Sequence, residues 1–287
     1  MRLLSPLFPY PALLLRKGEQ RVLVVADLHI GWEIALTERG IHIPSQTPRI
    51  KEKLLKLVDL YKPTSFLFLG DVKHTIARAE LGEWQDIPDL FETLSQKISD
   101  IKVVLGNHDG NLEPLLPSAV QIVNSTGIAL FDVGFFHGNA WPDPEILKCH
   151  SLVIGHVHPT VTFRDPIGFR ITAQVWVRAA INQKQLVKAF LNGMGFKLKT
   201  DEDPFKVLQT NFHVKFKASE FYIMPFFNEF LGGRPINRSS GRYEKRSKSI
   251  EYLGPLLRSG GIDIENAETY LLDGTFLGTV SQLRSLS

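Results

Sequence analysis

The first third of the chain alternates short unbroken apolar runs with segments whose apolar positions recur every three or four residues. Residues 22–26 (VLVVA) and 65–69 (SFLFL) are continuous and rich in β-branched or aromatic side chains, the pattern of strands buried on both faces. Between them Ile50, Leu54, Leu57, Val58 and Tyr61 line one face of a helix predicted over 49–61. A second helix is predicted over 87–98 and a third strand over 102–105. This β-α-β-α-β order implies an α/β core with parallel strands.

After Pro117 the pattern becomes strand-like, over 119–123, 128–136, 152–154, 161–163, 171–177, 212–224 and 269–280, with little helix between. Asp273-Gly274 sits between apolar runs and predicts a type I′ hairpin. Residues 31–48 predict an extra short helix ending near Gly40, with Trp32, Glu33 and His42 at its rim. No repeat is visible, and the only biased segment is the polar stretch 238–249. The expected organisation is one domain over 1–287: a catalytic core, 1–183, and an extension, 184–287, packed on it.

Composition narrows the classes. With 44% hydrophobic and 22% charged residues the chain is not a disordered one. A lone cysteine, Cys149, excludes a disulfide framework and a thiolate zinc cluster. No apolar run reaches the roughly 18 residues that span a bilayer, so no membrane is expected. The apolar stretch 1–15 is broken by Pro6, Pro9 and Pro11 and lacks a cleavage site. It is therefore expected to be an ordered part of a cytoplasmic protein, and the sequons at Asn124 and Asn237 to be chance matches.

The net charge of +3 hides an asymmetry: residues 1–183 hold 18 basic and 19 acidic groups, residues 184–258 hold 14 and 7. The densest part, 234–248, has Arg234, Arg238, Arg242, Lys245, Arg246 and Lys248 against Glu244. Such a loop suits a nucleic-acid backbone, and equally a plain solvated surface. No recognition helix or aromatic ladder accompanies it, so any nucleic acid bound would be read with little sequence preference.

Candidate chemistry collects where five strand-like runs end. VVADLH supplies Asp27 and His29; FLFLGD supplies Asp71, with His74 just beyond; VVLGNHD supplies Asn107, His108 and Asp109; GFFHG supplies His137; LVIGHVH supplies His156 and His158. Ligands of α/β sheets bind beyond the carboxyl ends of strands, so these ends can converge. Taken singly, each fragment reads as well as a helix cap or a core histidine. Together they place six of the nine histidines at such ends, and burying so many imidazoles and carboxylates without a cation would be costly.

The ordered blocks D-x-H, G-D, G-N-H-D, H and G-H-x-H resemble the calcineurin-like metallophosphoesterase superfamily. The contexts DLHIGWE and LGDVKH, and residues 263–278, resemble an archaeal-type subfamily related to the SbcD exonuclease subunit. The resemblance implies a four-layer α-β-β-α metallophosphoesterase sandwich and two divalent ions. Asp27, His29, Asp71 and His158 would hold one ion, and Asp71, Asn107, His137 and His156 the other, with Asp71 bridging. The N/O donor set without thiolate suits Mn²⁺, with Fe²⁺ or Zn²⁺ possible. The implied reaction is phosphoester hydrolysis by a hydroxide shared between the ions, with His108 protonating the leaving oxygen and Asp109 orienting His108.

The substrate stays open at this level. A phosphodiester of DNA or RNA is the leading expectation, with His74, Trp32, Arg242, Lys245 and Arg246 as substrate contacts. The alternatives are a nucleotide or small-molecule phosphatase, and a scaffold partner of a DNA-repair helicase. A homodimer is compatible with the branch.

Overall fold

A computed structural model describes residues 3–37, 40–76, 80–164, 167–238 and 253–286. The chain divides into two compact units, Met1–Ser125 with Phe226–Leu231, and Thr126–Pro225 with Gly232–Ser287.

The first unit contains β1 (Leu4–Pro6), β2 (Ala12–Lys17), β3 (Gln20–Val25), α1 (Trp32–Thr37), α2 (Thr47–Tyr61), β4 (Ser65–Leu69), α3 (Leu81–Ser95), β5 (Asp100–Val104) and β6 (Gln121–Val123). Its six-stranded sheet runs in chain order, β1 to β6. The first three strands are an antiparallel meander, and β3 to β6 pair in parallel, as their unbroken apolar runs predict. α2 turns Ile50, Leu54, Leu57 and Val58 onto the core, and α3 turns Ile87, Leu90, Phe91 and Leu94 onto it. Each such side chain contributes roughly 1.5–3 kcal/mol by leaving water. α3 starts six residues before the predicted helix, because Glu80 and Glu83 form a capping box there.

The second unit contains β7 (Ile128–Leu130), β8 (Val133–Phe135), β9 (Ser151–Ile154), β10 (Pro159–Arg164), β11 (Arg170–Ala180), α4 (Gln183–Gly193), α5 (Pro204–Phe212), β12 (Glu220–Ile223), β13 (Arg234–Pro235), α6 (Gly254–Arg258), β14 (Glu268–Leu271), β15 (Phe276–Thr279) and α7 (Val280–Ser285). Its sheet has the order β13-β10-β11-β12-β9-β8-β7, with the β14–β15 hairpin paired to β11. That hairpin turns at Asp273-Gly274, but not as the expected type I′, which needs both central residues at positive φ: Gly274 alone takes it, at φ 89°. Two further expectations are corrected. The run 128–136 is two antiparallel strands folded back at Phe131, which sits at φ 58°. Of 212–224 only β12 is a strand, and Phe212 closes α5 instead.

The molecule is thus α/β, with two sheets and helices packed on each, as the metallophosphoesterase sandwich requires. No helix among the described residues is long and apolar enough to cross a membrane.

Candidate functional site

In the first unit, the loops that follow β3 and β4 continue the parallel pairing beyond the strands. Asp27 N–H donates to Gly70 O at 3.1 Å, His29 N–H to Asp71 O at 2.9 Å, Ile30 N–H to Val72 O at 2.8 Å, and His74 N–H to Ile30 O at 2.9 Å. A segment from far downstream laces the other side: Phe227 N–H donates to Ala26 O at 2.8 Å, and the buried Asn228 donates its side-chain amide to Leu28 O at 3.0 Å.

This lacing holds strained backbone. Among the described residues nine non-glycine positions have positive φ, and five are expected metal ligands: Asp27, His29 and Asp71 here, His156 and His158 in the second unit. A non-glycine residue in this region costs about 1–3 kcal/mol and persists only where its surroundings fix it. The ligand positions themselves thus take the left-handed conformation that glycine adopts without cost. Gly106 serves close approach: a Cβ there would collide with the Asp71 carboxylate and backbone nitrogen.

Asp27, His29 and Asp71 are all buried. Asp71 Oδ2 lies 3.4 Å from His29 Nε2, and its Oδ1 accepts from the His108 N–H at 2.9 Å. His74 Nδ1 lies 3.2 Å from His29 Nδ1, so one of the two rings donates and the other accepts. His29, His74 and His108 each offer a nitrogen to a common point, with these atoms within 4.8 Å of one another. His29 packs edge-on against both neighbours, with ring centroids 5.3 Å from His74 and 4.7 Å from His108. Asn107 is exposed on the turn after β5. Imidazole nitrogen and carboxylate oxygen without sulfur fit the expected divalent ions, and Gly106 lets the Asp71 carboxylate lie close against the β5 loop.

Asp109 braces the loops through backbone groups. One of its oxygens accepts from Val72 N–H at 2.8 Å and Lys73 N–H at 3.2 Å, and the other from Gly106 N–H at 2.8 Å. It therefore ties the β4 and β5 loops together. The contact at His108 Nδ1 is the carbonyl oxygen of His74. A carbonyl can only accept, so Nδ1 carries a proton and Nε2 is the nitrogen that exchanges one with a reactant.

Two buried charges support this loop that the motifs did not disclose. Glu83 accepts from Thr75 N–H at 2.8 Å, Thr75 Oγ1–H at 2.7 Å, His74 N–H at 3.1 Å and Glu80 N–H at 2.9 Å. Lys73, fully buried, donates to the carbonyls of Thr75 and Ile76. Burial lowers the pKa of its ammonium, opposed by Glu83, Asp109 and Asp71. Glu33, expected at the rim, is buried and accepts from Gln46 N–H at 3.2 Å, joining α1 to the start of α2. His42 is exposed.

In the second unit, β8 and β9 pair in parallel and deliver His137 and His156 from adjacent ends. Their rings meet edge-on at 4.9 Å, and Gly155 N–H donates to His137 O at 3.1 Å. The His158 carbonyl accepts from Arg234 N–H at 2.7 Å, which joins this turn to β13. The expected ligands thus fall into two sets, each arranged by its own unit. Arg242, Lys245 and Arg246 lie outside the described residues.

Imidazoles and carboxylates on strained turns at the carboxyl ends of parallel strands define a metal-assisted hydrolase. The profile of the calcineurin-like phosphoesterase family (Metallophos) matches residues 20–169, just over half of the chain, and the chain belongs to that family. Its members hydrolyse phosphoesters at a dinuclear metal centre. No curated protein matches the chain by sequence. Among solved structures the fold is similar to Pseudomonas putida nuclease MPE, with TM-score 0.51, 17% identity and 94% of both chains covered. YfcE, a phosphoesterase from E. coli, matches with TM-score 0.33 and 20% identity over 50% of this chain and 73% of that one.

Proposed function

We propose that the chain cleaves phosphodiesters of DNA or RNA, as a nuclease of the SbcD-related branch that works with two divalent ions, Mn²⁺ first among them. Asp27, His29, Asp71 and His158 would hold one ion, and Asp71, Asn107, His137 and His156 the other. When bound, such ions polarise a phosphoryl oxygen and acidify water between them. His108, held through Nδ1 by the His74 carbonyl, presents Nε2 to protonate the leaving oxygen, which requires the imidazolium form. Asp109 and Glu83 keep that geometry by fixing the loops on which the histidines ride.

The observation that carries this reading is the buried His29–Asp71 pair with His74 and His108 gathered beside it. Family membership supports the hydrolase, the likeness to a nuclease is compatible with a phosphodiester, and the excess of basic residues over 184–258 favours a polyanion. An activity panel with Mn²⁺ tests it, comparing single- and double-stranded DNA, RNA, bis-p-nitrophenyl phosphate and p-nitrophenyl phosphate. The nucleic acids and the diester should be cleaved well ahead of the monoester. Efficient monoester hydrolysis with no oligonucleotide cleavage would favour a small-molecule phosphatase.

A further inference from the structure

One face of α2 carries a row of cations laid over rings. Arg49, Lys53 and Lys56 stand at i, i+4 and i+7, so they are spaced about 6 Å and about 4.5 Å along the axis at 1.5 Å per residue. The Arg49 guanidinium lies 5.6 Å from the centroid of Phe230, Lys53 Nζ 5.0 Å from Phe227, and Lys56 Nζ 5.9 Å from Tyr10. Phe230 in turn lies parallel to Trp32, with 9° between planes and centroids 6.2 Å apart. Both rings are half-buried, Arg49 is exposed, and every member of the row belongs to the first unit.

Packing alone does not account for the row. The Trp32 Nε1–H is buried and meets no acceptor among the described residues, although buried tryptophans normally find one. Arg49 and Lys56 form no ion pair among the described residues, and Lys53 approaches Glu229 only to 4.0 Å. The tryptophan is also tied to the ligand loop, since its backbone N–H donates to His29 O at 3.2 Å. Parallel aromatic planes flanked by a row of cations, two of them without an acidic partner among the described residues, match a strand that alternates flat bases with phosphates. In a duplex the base faces are hidden, so the match is to a single strand.

We infer that Trp32 and Phe230 form a stacking subsite for a nucleobase of single-stranded DNA or RNA, and that Arg49, Lys53 and Lys56 follow the adjoining phosphates. The inference rests on the phosphodiester reading and extends it from the reacting bond to the neighbouring nucleotides.

The test is a thermodynamic cycle. Affinity for a short single-stranded oligonucleotide is measured with Ca²⁺ in place of Mn²⁺, for the intact strand and for copies made abasic at each position in turn. At one position, base removal should weaken binding to the unaltered protein by about 5- to 150-fold, the range for one stacked base. Trp32→Leu should lose a similar factor on the intact strand and nothing further at that position, while Trp32→Phe should recover most of the loss. Arg49→Gln with Lys56→Gln should flatten the dependence of log affinity on log salt by about 1.4, two contacts at about 0.7 each. Additive losses at every position would overturn the subsite, as would full-strength binding by Trp32→Leu. If the unaltered protein still cleaves the strand with Mn²⁺, the phosphodiester reading survives that result. Failure to bind or cleave any oligonucleotide would overturn both.

Discussion

Asp71 has one carboxylate oxygen beside His29 and the other on the His108 N–H, on a backbone held at φ 51°. A residue so placed cannot be replaced without disturbing both neighbours. Asp71→Ala should lose both ions and all hydrolysis, and elemental analysis showing two ions retained per chain would reject the bridging assignment. His108 acts differently, because its fixed Nδ1 leaves Nε2 for the reactant. His108→Ala should keep both ions and lose on the order of 10²–10⁴ in turnover, with the deficit shrinking for leaving groups that need no proton. An equal deficit for good and poor leaving groups would make His108 a stabiliser of phosphate charge rather than the acid. The ligand side chains were legible because their spacing after strand-like runs is written in the sequence. Glu83 and Asn228 were not: Glu83 folds back on an irregular loop just before its helix, Asn228 reaches Leu28 from the far half of the chain, and no residue pattern marks either partner.

At the scale of elements, α3 matters through its first turn. Glu83 closes the capping box and receives four donors, three of them from the His74–Thr75 loop. Glu83→Ala would strand the two Thr75 donors, while His74 N–H keeps the Ile30 carbonyl, at a cost of about 1–3 kcal/mol for each donor that water cannot reach. Urea unfolding should show a loss of at least about 2 kcal/mol, and activity should fall as the His74 carbonyl leaves His108. The parallel strands of the first unit were plain in the sequence because both faces are buried, leaving no polar interruptions. α4 and α5 were not. Asn182 caps α4 and Leu186, Val187, Phe190 and Leu191 face the core, but about three turns hold too few periods to stand out among strand-like runs. Such helices owe their stability to packing against a sheet that the local sequence does not describe.

For the whole molecule, two separate cores are visible, one in each unit. Cys149 belongs to the second unit, where burial, aided by Asp132, raises the thiol to about 11. Its folded pKa exceeds the ordinary 9.0, so the stability it contributes is full below pH 9 and is lost as pH climbs toward about 11. Denaturant midpoints across that window should fall more steeply for the unaltered protein than for Cys149→Ala. Equal slopes would mean the thiol titrates freely. The division into units was not legible from composition, because Phe226–Leu231 belongs with a sheet whose last strand ends at Val123. That displaced segment bears on the order of synthesis. A nascent chain that has reached Ser125 carries every strand of the first sheet, each paired with its neighbour in chain order. The turn holding Asp27 and Leu28 still lacks its clasp, which arrives only with Phe227 and Asn228. The chain therefore leaves the ribosome with its scaffold ready early and its reactive turn secured late, once residue 228 has emerged.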